Sequence, residues 1–343
     1  MRPEPQRTSS RRIFSRLYPT QFLVCGVVCG FLIAVVLGVF IVYADMMSRV
    51  TYVEADDDSH WRIQDLMDPD ILLGYQLQNN PSTDDDSDDI DLDSPPQESV
   101  AVQDMAGVDN ILLFGVDTYS YTGRSDVTML ISINHNTKKI SIISLMRAMY
   151  VKIGAKNHNW GLLNAAYSYG GPALAMKTVE QNFGIPITGF VAVNFTSFVR
   201  IVNAIGGVGI TLTPGEARIV GVPSGYQRLN GQQALDYSRI RKLDSDFQRN
   251  QRQRNVVTSI LNEMTNQGGA SAYKAATVIL ANTYTNIDLN SYITKAPTYL
   301  SYQRSQLQIP DMRETRQYYV NGQEVWWFDM AKTHQRIIEF LTK

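Results

Sequence analysis

Phe22–Tyr43, FLVCGVVCGFLIAVVLGVFIVY, is an uncharged run of twenty-two residues, and no other feature restricts the fold of this chain so strongly. As a helix it spans the roughly 30 Å hydrocarbon core of a bilayer. Arg2, Arg7, Arg11, Arg12 and Arg16 precede it and Asp45 follows it. The positive-inside rule then makes residues 1–21 a basic cytoplasmic tail and puts everything after Tyr43 outside. A cleaved signal peptide is the competing reading, but its apolar core would be about 7–15 residues and an A-x-A-like site would follow. The run is longer and no such site is evident. A retained transmembrane helix over residues 22–43 is expected, making this a single-pass protein of the cell membrane.

The net charge of −2 conceals a partition. Thr51–Val100 holds fifteen Asp or Glu and one Arg, whereas Ala101–Lys343 holds twenty-four Lys or Arg against sixteen acids. The acidic segment, with its run Asp84-Asp85-Asp86-Ser87-Asp88-Asp89 and its Pro95-Pro96, has too little apolar surface to offset the entropy of ordering. Residues 44–104 are therefore expected to be a largely disordered, self-repelling extracellular linker. Residues 105–343 are expected to be the folded extracellular domain. Both cysteines, Cys25 and Cys29, lie in the apolar run. The exported part thus lacks disulfides and thiol nucleophiles, and its length suffices for a core without staples. Four scattered histidines and no H-E-x-x-H, G-x-S-x-G or P-loop pattern argue against zinc, serine-hydrolase and nucleotide chemistry.

Within the domain, Asn110–Asp117 reads as a buried strand delivering a carboxylate at its end, and Met129–Asn134 and Ile140–Met146 as strands joined by a tight turn. Leu162–Phe183 has helical periodicity broken at Gly170-Gly171-Pro172, as two joined helices would. Short strands at Phe190–Asn194 and Val208–Thr213 alternate with helices at Ser197–Ile205, Asn230–Tyr237 and Phe247–Asn266. Further helices are expected at Ser271–Ala281 and Ser291–Tyr302, then a hairpin or strand at Tyr318–Asp329 and a closing helix at Thr333–Leu341. Alternation of this kind predicts an α/β domain whose central sheet is covered on both faces.

The chemically distinctive stretch is Tyr237–Arg254, Y-S-R-I-R-K-L-D-S-D-F-Q-R-N-Q-R-Q-R, with six cations, five of them Arg, against two carboxylates. Guanidinium forks suit bidentate binding of phosphate or carboxylate. Arg239 and Arg241 share a side if the segment is extended. Arg249 stacks with Gln253 and with Arg252 if it is helical. A solvated or nucleic-acid-binding basic patch competes with a phosphate site on composition alone. Arg124 and Asp126 in the loop before the second strand, Asp117, and Arg147 after the third strand sit at strand ends, where open α/β sheets bind ligands. Asp117 and Asp126 could hold a hard divalent cation, or serve as turn residues paired with arginines.

At these residues the chain resembles the LytR–CpsA–Psr family of cell-wall assembly proteins. The matching pieces are N-I-L-L-F-G-V-D, R-S-D, the Arg after the third strand, L-L-N-A-A-Y-S-Y-G-G, I-V-N-A-I-G-G-V, L-N-G-Q-Q-A-L-D-Y-S-R-I-R and D-S-D-F-Q-R-N-Q-R-Q. They run in family order across Asp109–Asn266, and residues 267–343 resemble the family's tail more loosely. The resemblance implies a three-layer α-β-α fold with a central mixed sheet and a phosphotransferase activity. The enzyme would move a wall teichoic acid or capsular glycopolymer from undecaprenyl pyrophosphate onto peptidoglycan, and nucleic acid would have no part in it. It assigns Mg²⁺, with Mn²⁺ as an alternative, to Asp117 and Asp126. Arg124, Arg147, Arg239, Arg241, Arg249 and Gln253 become pyrophosphate ligands. Arg147, Arg241 and Asp246 are assigned to catalysis, with Asp246 orienting or deprotonating the acceptor hydroxyl. Two positions depart from the pattern: Arg-Asp after the third strand is here Arg147-Ala148, and D-F-G-R is Asp246-Phe247-Gln248-Arg249. The first departure is the only sequence support for a rival, a non-catalytic polyprenyl-pyrophosphate sensor or carrier. A membrane-bound regulator of wall genes is a further alternative, weakened by a cytoplasmic tail too short for a DNA-binding domain.

Overall fold

The computed structural model describes Thr51–Tyr52 and Val100–Lys343, apart from residues 119–120, 156–157, 242, 244, 267–277, 280, 289–290, 293–294, 296–297, 300 and 321. The basic tail, the apolar run and most of the acidic linker lie outside the described residues. So do most of the helix expected at Ser271–Ala281 and part of that at Ser291–Tyr302. No helix among the described residues is long and apolar enough to cross a membrane.

Apolar, β-branched runs build the centre of the fold. The strands are β1 (Thr51–Tyr52), β2 (Val108–Val116), β3 (Ser125–Asn134), β4 (Lys139–Leu145), β5 (Tyr150–Ala155), β6 (His158–Leu162), β7 (Gly189–Asn194), β8 (Val208–Leu212), β9 (Gly225–Leu229), β10 (Tyr284–Thr285), β11 (Gln303–Ile309), β12 (Thr315–Val320) and β13 (Gln323–Phe328). Seven of them form one sheet in the order β1-β10-β7-β2-β3-β4-β11. β2 pairs parallel with β7 and antiparallel with β3, and β4 pairs parallel with β11, so the sheet is mixed as expected. The turn between β3 and β4 is set by Asn134, whose side-chain oxygen accepts from the amides of Asn136 and Thr137 at 3.0 Å.

Helices cover both faces. In the register, Leu112 opposes Leu130, which opposes Ile143. That face packs on Ala166, Val179 and Phe183 of α1 (Leu163–Phe183) and on Ile337 and Leu341 of the C-terminal helix Met330–Thr342. The alternate residues Leu113, Met129 and Val191 turn to the other face. There they meet α2 (Phe195–Ala204) and the long helix Asp246–Asn266 across a cavity. Three layers result. α1 bends at Gly170 and Gly171, the latter at φ 62°, so Pro172 starts a fresh helix and loses no interior hydrogen bond.

Beside the cavity stands a small unit made of the β8–β9 hairpin, α3 (Pro214–Val220) and α4 (Gly231–Ser238). Val202, Ile210, Leu229, Tyr237 and Val256 form its core. Asn230 and Gln233 make a reciprocal capping box at the start of α4, and this fixes where the helix delivers the arginines after it. The two remaining long helices are α5 (Asp246–Asn266) and α6 (Met330–Thr342).

Among the longer elements, the β5–β6 hairpin, α3, β9 and β11 were not foreseen. β9 and β11 read G-Y-Q-R-L and Q-R-S-Q-L-Q-I, which carry little apolar alternation. β11 is nonetheless paired along its length with β4, and its polar side chains find partners on α5, such as Gln306 Nε2 donating to Thr258 Oγ1 at 2.6 Å. Within the segment expected to be linker, Thr51–Tyr52 pairs parallel with β10.

Candidate active site

The site grows from a bulge. Along β2 and β3 the register steps from Gly115 opposite Val127 to Val116 opposite Ser125, which leaves Asp126 as the extra residue. Such a bulge re-aims one side chain. An added Cβ on Gly115 would sit 2.9 Å from the Val127 Cβ, so the strand needs glycine there. Asp117 follows β2, and its amide donates to the Arg124 carbonyl at 3.3 Å, closing the intervening loop. Gly123 turns that loop at φ +115°.

Four elements then bring side chains of opposite sign into one line. Arg241 Nη2 lies 2.6 Å from Asp126 Oδ2, and Arg147 Nη1 lies 3.0 Å from Asp126 Oδ1. Arg147 Nε is 3.3 Å from Asp246 Oδ2, and Arg249 Nη2 is 2.9 Å from the same oxygen. The sequence-expected arginines after β4, after α4 and on α5 are thus locked to two carboxylates, alternating in charge. Asp246 opens α5, where the helix dipole favours an anion. Burial works against the charge of Arg147, but Asp126 and Asp246 outweigh it and hold the guanidinium above its usual range. Arg249 is pushed the other way, by burial and then by Arg147.

Asp117, Asp126, Arg239, Arg241, Arg249 and Gln253 all line a cavity of about 230 Å³. Arg239 is the C-cap residue of α4 and not part of an extended segment, yet it and Arg241 both reach the cavity while Ile240 between them is core. The Arg239 guanidinium lies 4.3 Å above the Phe195 ring. Arg124 is not among the lining residues; its charge acts on Asp117. Burial raises the Asp117 carboxyl above its usual range, and the negative charge of Asp126 adds to the effect. A half-buried carboxylate pair of this kind suits a divalent cation. No cluster of three or more His, Cys, Asp or Glu exists among the described residues, and a hard ion that keeps most of its water needs no third carboxylate. Arg147, Arg239, Arg241 and Arg249 against Asp117, Asp126 and Asp246 leave one positive charge, which a bound divalent cation would raise to three, so the site favours an anion.

One expectation is corrected. Arg252 does not stack with Arg249 toward the cavity. Its Nε bonds to Glu216 Oε1 at 2.7 Å and its Nη1 donates to the Ile240 carbonyl at 3.2 Å. Glu216 also closes the capping box of α3, accepting from the Thr213 amide at 2.9 Å. Despite its burial, the bonds from Arg252 and Thr213 hold Glu216 below the usual carboxylate range. Arg252 is therefore a buttress for the segment that carries Arg239 and Arg241.

The sequence reading also missed the apolar body of the cavity. Leu113 and Val191 of the sheet, Phe198 and Ile201 of α2, and Val257 and Ile260 of α5 line it. On α5 the same face runs Arg249, Gln253, Val256, Val257, Ile260, polar at its first turns and apolar beyond. At about 1.5 Å per residue that gradient is about 16 Å long. The signal was present in the i, i+4, i+7, i+8, i+11 spacing, but apolar residues at helical spacing look like core.

The profile of the LytR_cpsA_psr family matches residues 74–339. The chain belongs to this family. Among curated relatives, a polyisoprenyl-teichoic acid–peptidoglycan teichoic acid transferase TagU of Oceanobacillus iheyensis is 33% identical over 234 residues, covering 64% of this chain and 70% of that protein. Biofilm regulatory protein A of Streptococcus mutans is 34% identical over 216 residues, covering 56% and 53%. The chain thus spans between about half and about two thirds of the length of these relatives. A solved structure of the family protein YwtF (TagT), with bound octaprenyl pyrophosphate lipid, is 25% identical with a TM-score of 0.56, covering 71% of this chain and 94% of that one.

Proposed function

We propose that this family member is a membrane-anchored phosphotransferase that takes a glycopolymer, a wall teichoic acid or capsular polysaccharide, from undecaprenyl pyrophosphate and attaches it to peptidoglycan outside the cell. The observation that carries this reading is the cavity, with arginines at one end and an apolar body behind them. An isoprenoid pyrophosphate has the same division. Relatives named as teichoic acid transferases and a relative with bound octaprenyl pyrophosphate support the direction of the reading. The uncharged run Phe22–Tyr43 supports the anchor. Tethering would keep the domain beside a lipid-borne donor at high effective concentration.

In this reading Arg239, Arg241 and Arg249 bind the pyrophosphate, with Gln253 beside them and Arg124 and Arg147 adding charge. Preorganised donors of this kind stabilise charge as the P–O–P linkage breaks. Asp246 orients the acceptor hydroxyl and takes its proton. The hydroxyl oxygen bonds to the sugar-side phosphorus, the P–O–P bond breaks, and polyprenyl phosphate leaves. Asp117 and Asp126 would hold Mg²⁺, which when bound supplies Lewis-acid charge to the phosphate oxygens. Ala148 does not disturb the ion-pair line: its carbonyl accepts from the Trp326 amide at 2.8 Å, and Arg147 keeps both carboxylates.

The reading is tested with the full chain in detergent, a polyprenyl-pyrophosphate-linked oligosaccharide and a peptidoglycan oligomer. Transfer with release of polyprenyl phosphate is expected. Tight binding of the lipid with no release in any metal would leave a carrier or sensor.

A further inference from the structure

α5 carries three arginines that are at least nine-tenths buried, and one of them has the wrong surroundings. Arg249, 4% exposed, meets Asp246, and Arg252, 3% exposed, meets Glu216. Arg254, also 4% exposed, has no carboxylate partner among the described residues. Its Nη1 donates to Gln308 Oε1 at 2.9 Å and its Nη2 to Gln251 Oε1, while its buried Nε has no acceptor. Burial pulls its pKa down to about 10. A buried guanidinium short of both a counter-charge and an acceptor is costly, and such charges are normally paired.

Arg254 lines a second, shallower cleft of about 230 Å³. Gln251 and Arg254 come from α5, Gln306 and Gln308 from β11, and Arg336 from α6 on the other side of the sheet edge. Asp311 also lines it, but Arg336 Nη1 lies 2.6 Å from its Oδ2 and Arg313 bonds both its oxygens. At about 100° per residue, Gln251 and Arg254 point away from Arg249 and Gln253. The cleft is therefore on the far side of α5 from the arginine-lined cavity, about one helix diameter, 10–12 Å, away.

We propose that this cleft is a second anion subsite, in which Arg254 takes an oxyanion of a hydroxyl-rich chain and Arg336 adds the nitrogens it does not spend on Asp311 and Glu314. Gln306 and Gln308 take hydroxyls, Gln251 being used by Arg254, Asn255 and Gln306. Amides pair with sugar hydroxyls as both donor and acceptor, and two guanidiniums flank a phosphate or carboxylate. Two chains offer that chemistry: a phosphodiester-linked glycopolymer, or a peptidoglycan strand with its peptide carboxylates. The anion subsite follows from Arg254 itself; only the choice of these two chains rests on the transferase reading.

The test uses the full chain in detergent carrying Arg241→Ala, so that the arginine-lined cavity contributes less to phosphate binding. Binding of a soluble glycerol-phosphate oligomer and of a muropeptide oligomer is measured by calorimetry, with and without Arg254→Gln. Because Arg254 is buried, the surface pair Arg336→Ala/Gln306→Ala is measured in parallel. At least one oligomer is expected to lose tenfold or more in affinity with Arg254→Gln and several-fold with the surface pair. The oligomer that responds identifies the chain. Polyprenyl pyrophosphate binding, measured without Arg241→Ala, should change less than twofold in either variant, and it reports separately on the transferase reading. Binding of neither oligomer, or equal binding by the surface pair and its parent, overturns the subsite.

Discussion

Two to three turns of α5 separate Arg249, fixed on Asp246 at 2.9 Å, from Val257 and Ile260 in the apolar body of the same cavity. The charged end is held by a line of ion pairs across four elements, in which Arg147, Arg241 and Arg249 each already face an anion. The apolar end is held by the ordinary packing of sheet against helix, with a space left over. In the proposed reading the charged end governs what can react, and the apolar end governs what can stay bound. A change at one end should leave the property of the other nearly intact.

The largest effect is expected behind the charged end. Arg252→Ala leaves Glu216 buried without its partner, and breaking a buried pair costs about 3–5 kcal/mol. The denaturant midpoint should fall accordingly. Loss of activity with an unchanged midpoint would show that Arg252 faces the ligand instead. Next comes Arg249→Ala, which in the proposed reading removes a donor to the reacting phosphates and should lower the transfer rate about 10²–10³-fold. A short water-soluble pyrophosphate and a long polyprenyl one should suffer alike, because the missing group touches only the head.

Ile260→Trp sharpens the contrast from the other end. The indole occupies the apolar space, so affinity for a long isoprenoid should drop about tenfold, within the range that one side chain contributes in an apolar pocket. Affinity for the short pyrophosphate should stay within twofold. Equal losses on both ligands would mean that the cavity does not divide as described.

The smallest effect is at Asp117. Its folded-state pKa is raised, so its contribution to stability is greatest below the usual aspartate range and is lost as pH rises through the shifted value. Above that range, in metal-free protein, the ionised carboxylate opposes folding. Asp117→Asn should therefore raise the metal-free thermal midpoint slightly at neutral pH. If Asp117 holds Mg²⁺ as proposed, the metal should raise the midpoint of the unaltered protein and not that of the variant. A Mg²⁺ response that persists in the variant would remove Asp117 from the metal site.

The legibility of the two ends follows from their chemistry. Arginines at short spacing and carboxylates at strand ends are rare enough to be noticed. Asp117, Asp126, Arg239, Arg241, Arg249 and Gln253 do meet around one cavity, and Arg147 and Asp246 join them through the line of ion pairs. Most of the central sheet was legible for a similar reason, since β2, β3 and β4 are apolar runs with clear turns. β11 was not, because its stability comes from the pairing with β4 and from polar contacts to α5 that no local pattern announces. The role of Arg252 was hidden as well: helical spacing placed it near Arg249, but only the fold brings Glu216 within 2.7 Å. The apolar channel was the least visible part, since a residue that lines a cavity and one that fills a core are spelled the same way.

The most direct test follows polyprenyl phosphate released from a polyprenyl-pyrophosphate-linked glycopolymer by the full chain, with peptidoglycan oligomer and Mg²⁺ present, beside Arg241→Ala. The account predicts steady release coupled to glycopolymer on the oligomer, reduced about a hundredfold or more in the variant. Equal release by both proteins, or lipid bound tightly and never cleaved, would contradict it.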